Sequence, residues 1–182
     1  MRSRGTIIRS GLAILGASLL VGACAAATPV AEAPPGGPRS LRLPNERSPS
    51  PSLLTGGQPT PTQLEAAKAA GFATVINLRP PGEPGSWDET ELVESLGLRY
   101  VSIPIAGAVS LTRANARLLA HALAKSTGPV VLHCASGNRV GALLALKAAL
   151  LDGVDAERAV ALGLDAGMTS LEGEVRKILG LP

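Results

Sequence analysis

The sequence predicts an α/β domain with a mostly parallel central sheet of about four or five strands flanked by helices. Three observations carry that expectation. Short runs dense in branched apolar residues alternate with helix-forming runs, and this order demands crossover connections and parallel strands. Glycine or proline marks nearly every transition between them. The last apolar run, residues 129–132, passes through a tight loop straight into the helix-forming residues 142–147.

Taken in order, residues 53–58 give a weak first strand that ends in a glycine turn at Gly56 and Gly57. Thr60 and Gln63 have the spacing of a capping box, with Pro61 at the first helical position, so a helix is expected over 61–70 and stops at Gly71. Residues 72–78 are rich in β-branched side chains and read as a strand. The glycines and prolines of 79–86 require a loop. A short acidic helix follows over 87–96, and a third strand over 99–104. Ser110 is the expected cap of a helix running to Lys125, and Gly128 and Pro129 lead into the strand before Cys134. Helices are then expected over 141–151, 155–164 and 171–179.

The N-terminal part reads differently. Arg2, Arg4 and Arg9 precede an apolar stretch, residues 10–20, which is too short for a confident membrane span and has the order of a secretory signal peptide. It ends in Val21, Gly22, Ala23 and Cys24, which resembles a bacterial lipoprotein box. The expectation is a signal peptide over 1–23, lipid on Cys24, and a Pro-, Ala- and Gly-rich tether over 24–50. The protein would then be exported and held on the periplasmic side of a membrane by its lipid alone, leaving residues 51–182 as one domain. The alternative is an ordinary signal cleavage near Cys24.

Charge follows the same partition. The formal net charge is +3, yet Arg2, Arg4, Arg9, Arg39, Arg42 and Arg47 all precede Pro51. From Pro51 onward 11 Lys and Arg face 12 Asp and Glu, a net of −1. With aromatics at 2% of the chain, neither a basic stripe nor a stacking platform is present, which argues against a nucleic-acid partner. No cluster has metal-ligand spacing, so neither metal nor cofactor is expected.

The chemistry concentrates in residues 133–141: His133, Cys134, Ala135, Ser136, Gly137, Asn138, Arg139, Val140 and Gly141. A helix start gathers unpaired N–H groups and the positive end of the helix dipole, so this loop favours an anion. A thiol held there is favoured as thiolate, the nucleophilic form. Arg139 adds a fork of donors suited to an oxyanion. If Cys24 carries lipid, Cys134 is the only thiol left in the mature chain, so no intramolecular disulfide is available to it. In an open α/β sheet, ligands bind beyond the carboxyl ends of the strands. The loops after Leu78, Pro104 and His133 should therefore share one rim, with Arg79, Glu83 and Asp88 near Cys134.

The loop resembles the phosphate-binding loop of the cysteine-dependent protein tyrosine and dual-specificity phosphatases. Together with residues 57–60, 71–79 and 100–104, it is more similar still to the phosphatase-like domains of bacterial beta-lactamase hydrolase-like proteins. The resemblance implies a cysteinyl-phosphate mechanism. Cys134 would attack phosphorus. Backbone N–H groups of Ala135, Ser136, Gly137, Asn138 and Arg139, with the Arg139 guanidinium, would hold the phosphoryl oxygens. His133 would brace the loop, and Ser136 would assist the departing thiolate. The substrate would be a phosphorylated small molecule or a phosphoprotein.

Two departures from the wider phosphatases bear on this. Four residues, not five, separate Cys134 from Arg139, a spacing also found in rhodanese-like sulfurtransferases. The loop after the third strand, residues 104–108, carries no acid where those phosphatases place a general-acid aspartate. Asp88 or Glu83 would have to supply the proton, although Asp88 with Glu89 and Glu91 more often describes an acidic first helical turn. Arg79 either reaches the anion or pairs with Glu83. A sulfurtransferase carrying persulfide on Cys134 and a weakly catalytic oxyanion- or phosphoprotein-binding module are the alternatives. A lone buried cysteine packing a core is the bland one.

Overall fold

The computed structural model describes residues 40–182. The leader, Cys24 and most of the tether lie outside the described residues. Within them run β1 (Arg47–Ser50), β2 (Leu53–Gly56), α1 (Pro61–Ala69), β3 (Thr74–Asn77), α2 (Thr90–Ser95), β4 (Arg99–Ser102), α3 (Arg113–Ala124), β5 (Val130–His133), α4 (Asn138–Leu150), α5 (Ala156–Asp165) and α6 (Glu172–Ile178).

Among the described residues the strands form one sheet in the order β1-β2-β5-β3-β4. Strand β1 runs antiparallel to β2, whereas the pairs β2–β5, β5–β3 and β3–β4 are parallel. Alternation along each strand assigns its side chains to two layers. Val75 and Val131 face Leu64 and Ala67 of α1 and Val93 of α2. Ile76, Leu78 and Leu132 face Leu119 of α3, Leu143 and Leu146 of α4, Val160 of α5 and Val175 of α6. With both faces covered, the central strand β5 is buried along its whole length, which is why it reads as an unbroken apolar run.

Register positions the site. Gly56 of β2 and Asn77 of β3 both sit opposite His133 of β5. The turn after β2, the loop after β3 and the loop after β5 therefore leave the sheet at one level.

Several sequence expectations are met closely. The Thr60 hydroxyl accepts from the Gln63 N–H while the Gln63 side chain accepts from the Thr60 N–H, completing the capping box with Pro61 behind it. Others are corrected. Residues 40–50 are not tether. Leu41 and Leu43 are buried against Leu54, Leu64 and Phe72, and β1 adds an edge strand. The domain thus begins before Pro51, and Pro44, Pro49 and Arg47 obscure it because proline and charge are what an edge strand carries. Helix α3 is capped by Thr112, whose hydroxyl accepts from Asn115 N–H at 3.2 Å. Ser110 instead closes a 3-10 turn, Ala108–Ser110, and accepts from Ala106 N–H. Helix α4 starts at Asn138 rather than Gly141, so Arg139 stands on the helix itself.

Candidate active site

Gly137, the cap of α4, has φ +90°, in the left-handed region that an L side chain rarely occupies. That turn reverses the chain between β5 and α4 tightly enough to point the Gly137 N–H back at Cys134, where it donates to Sγ at 3.1 Å. The two preceding carbonyls point away. Ala135 O accepts from Gln58 N–H at 3.3 Å, and Ser136 O accepts from the Asn45 side-chain amide at 3.1 Å. Since a trans peptide sets its N–H opposite its C=O, outward carbonyls mean inward N–H groups. Cys134 is fully buried and touches the core beneath α4, so it combines a packing role with its place over the loop.

Arg139 stands on the first turn of α4. Its Nη1 and Nη2 donate to the two carboxylate oxygens of Glu83 at 2.5 and 2.7 Å, and Nη1 also donates to Ile105 O at 3.0 Å. The fork is thereby fixed between the loop after β3 and the loop after β4. Its hydrogen bonds to Glu83 favour the charged guanidinium, and the neighbouring Cys134 adds to that. The same hydrogen bond from Arg139 leads in holding the Glu83 carboxyl below its ordinary range, with the charges of Arg139 and Arg79 acting the same way against partial burial.

Arg79 does not face the loop thiol. Its Nε donates to Glu83 at 2.9 Å, its Nη1 to the Gln58 side chain and to Gly85 O, and its Nη2 to Pro84 O at 2.6 Å. It is the organiser of the proline- and glycine-rich loop, and through Glu83 it supports Arg139. Asp88 is exposed, and its carboxylate accepts from the N–H of Thr90, the first residue of α2, at 3.0 Å. That bond lowers its pKa and keeps it ionised at neutral pH. Asp88 also lines a cavity of about 470 Å³ with Trp87, Tyr100 and Ser102, a wall that includes neither Cys134 nor Arg139. Asp88 is thus engaged with the first N–H of α2, and the carboxylate that reaches Arg139 is Glu83.

His133 and Glu89 are both fully buried, with His133 Nε2 3.0 Å from Glu89 Oε2. The contact lies within ion-pair distance but out of line for a hydrogen bond. The other oxygen of Glu89 accepts from Gln58 at 2.6 Å and from Asn77 at 3.3 Å. A buried carboxylate is tolerable only when so surrounded. In the sequence Glu89 reads as part of an acidic turn; the usable sign is Asn77, a polar residue at a buried strand position. Asn138 turns its side chain away from the loop, accepting from Thr169 and Leu171 N–H and donating to Ser170. Ser136 and Ala135 are exposed, and Gly137 is buried. Among the described residues no three His, Cys, Asp or Glu side chains gather as a metal site would require.

A buried thiol at the end of a central parallel strand, over inward N–H groups and beside an arginine on the next helix, defines the cysteine-based phosphatase-like class of α/β domains. Residues 46–151 match the family model of the beta-lactamase hydrolase-like protein, phosphatase-like domain, and the chain belongs to that family. It is 35% identical over 116 residues to the beta-lactamase hydrolase-like protein of Agrobacterium fabrum, covering 62% of this chain and 25% of that one. It is 33% identical over 115 residues to that of Xylella fastidiosa, covering 61% and 26%. The chain thus spans about a quarter of the length of these curated relatives. Among solved structures, a DUF442 protein from Shewanella putrefaciens CN-32 matches with a TM-score of 0.59 at 21% identity, covering 76% of this chain and 93% of that one. Tk-PTP in its active form matches at 0.56 and 19%, covering 75% and 96%. TpbA of P. aeruginosa matches at 0.55 and 19%, covering 75% and 83%. At these identities the structural matches speak for the fold.

Proposed function

We propose that this domain hydrolyses phosphomonoesters through a cysteinyl-phosphate intermediate. The observation that carries the reading is the Gly137 N–H donated to Cys134 Sγ at 3.1 Å within a loop whose carbonyls are turned outward. Such a loop stabilises a thiolate and then the equatorial oxygens of a phosphoryl group with the same donors. In the first step the Cys134 thiolate forms the S–P bond as the ester P–O bond breaks, and the leaving oxygen takes its proton from solvent. In the second, water attacks phosphorus, the S–P bond breaks with its electrons returning to sulfur, and inorganic phosphate leaves. Arg139 holds oxygens in both steps. His133 and Glu89 hold the end of β5 from below.

Both acids that the sequence brings forward as donors, Glu83 and Asp88, are held as carboxylates. General-acid help is worth roughly 10²–10⁴-fold when a poor leaving group departs. The full chain should therefore release phosphate from an aryl phosphate at least about 10²-fold faster than from a simple alkyl phosphate. Comparable rates on the two would argue that a proton donor is present after all. Phosphotyrosine is a natural first aryl substrate, since a cysteine-to-serine form of TpbA from P. aeruginosa has been crystallised in complex with pTyr. Phosphoproteins and phosphorylated small molecules are the substrate classes proposed.

The same lack of an acid, with the four-residue spacing between Cys134 and Arg139, favours a second reading: a sulfurtransferase with persulfide on Cys134. Thiosulfate and cyanide test it. Thiocyanate without phosphate release would select sulfur transfer, and oxyanion binding without either product would select a binding module.

We also propose that Cys24 carries lipid and that the protein resides on the periplasmic face of a membrane. Radiolabelled palmitate fed to expressing bacteria should enter the wild-type protein and be absent from Cys24→Ala. Equal label in both would refute the anchor.

A further inference from the structure

The loop around Cys134 is clamped from outside by a segment that the sequence reads as tether. Residues 41–46 bend back on themselves: the Glu46 carboxylate accepts from Leu41 and Leu43 N–H at 2.9 and 3.0 Å, and the buried Leu41 and Leu43 pin the bend to the core. Pro44 O then accepts from Gly57 N–H at 2.6 Å, while the residue after Gly57, Gln58, holds Ala135 O. Gly57 lies between the two chain segments with no space for a side chain. A Cβ there would stand 2.6 Å from Ala135 O and 2.8 Å from Pro44 Cβ. Asn45 closes the arrangement. With φ +50°, a conformation asparagine tolerates better than most residues, it aims its side-chain amide at Ser136 O at 3.1 Å and Gly167 O at 3.4 Å.

The peptide joining Ser136 to Gly137 is the one that matters for chemistry. Its oxygen accepts from Asn45, and its N–H donates to Cys134 Sγ. These bonds form one chain, from the Asn45 amide through the peptide to the thiol. Each bond polarises the next, and the outer one fixes the plane that aims the inner one.

We propose that Asn45 is a positioning residue for the anion loop, setting the orientation and donor strength of the Gly137 N–H. The inference deepens the hydrolase reading, since it concerns the same loop, but it makes its own claim about anion affinity. It also places the last residues before β1 in physical contact with the site, so that the chain leading in from the N-terminus is coupled to the nucleophile.

Asn45→Gly tests it, because glycine keeps the positive φ without strain and removes the amide that donates to Ser136 O and Gly167 O. Asn45→Asp keeps the shape and replaces the donor with an acceptor. In the full chain, tungstate titrated by calorimetry should bind Asn45→Gly about 5- to 10-fold more weakly than wild type, as loss of one well-aimed donor implies. Asn45→Asp should be weaker again. The melting temperature of Asn45→Gly should change by no more than a few degrees, and kcat on an aryl phosphate should fall by at least the same factor as the affinity. Unchanged tungstate affinity in Asn45→Gly overturns the proposal whatever the turnover. A wild-type chain that binds tungstate but hydrolyses no phosphate ester sinks the hydrolase and leaves the clamp standing on the affinity difference. A wild-type chain that binds no tungstate overturns both.

Discussion

Cys134→Ser should abolish phosphate release, lowering kcat by roughly 10⁴-fold or more, the scale seen when a covalent nucleophile is removed. The structural grounds are specific. Sγ is the atom to which the Gly137 N–H donates, at 3.1 Å. A hydroxyl in its place is far harder to ionise at neutral pH, so the attacking anion is lost while the shape of the loop is kept. Because the oxygen is smaller than sulfur and the surroundings are fully buried, the variant should still fold and should still bind tungstate. Steady-state assay on an aryl phosphate, with calorimetric tungstate binding beside it, checks both halves. Phosphate release that survives in Cys134→Ser would show that another group attacks phosphorus and would remove the basis for a cysteinyl-phosphate route.

The second large effect belongs to Arg139→Lys, for which kcat/KM should fall by roughly 10²–10³-fold despite the retained charge. The guanidinium spans three partners at once: both oxygens of Glu83, the carbonyl of Ile105, and the neighbouring thiol. Only a planar fork can bind a carboxylate along one edge and keep donors free for an oxyanion on another. A lysine ammonium is a point charge on a flexible stem and would settle on Glu83, leaving the loop without its cationic wall. A variant retaining more than about a third of wild-type kcat/KM would show that the arginine serves the loop contact with Glu83 and not the anion.

Glu83 acquires a meaning here that its position in sequence does not disclose. Its loop, at the end of a strand, is expected on the rim beside Cys134, but its grip on an arginine 56 residues later is not. Nothing local could pair the two. The pairing depends on β5 lying between β2 and β3, which brings the loop after β3 over the start of α4. Asn45 is a stronger case. Its contact with Ser136 spans 91 residues, and its surroundings carry the prolines and charge of a linker. Glu89 is hidden for another reason. Next to Asp88 and Glu91 it has the pattern of a solvated helical turn, yet it is fully buried against His133. Asp88, its exposed neighbour, accepts from Thr90 N–H instead. Composition alone cannot tell which of two adjacent acids the fold turns inward.

What the sequence determined by itself is local. The branched runs, their glycine and proline boundaries, the Thr60–Gln63 capping box and the passage from β5 through Gly137 into α4 depend on neighbours within a few residues, where backbone sterics and hydrogen-bond reach decide the outcome. That was enough to locate the thiol, the inward N–H groups and Arg139 at one helix start. The tertiary structure alone decided which distant groups surround the loop: Glu83 on the arginine, Glu89 beside the histidine and Asn45 on the outer carbonyl. These are contacts between chain segments that meet only once the sheet order is set, and strand order is fixed by the burial of whole faces rather than by any short stretch of residues.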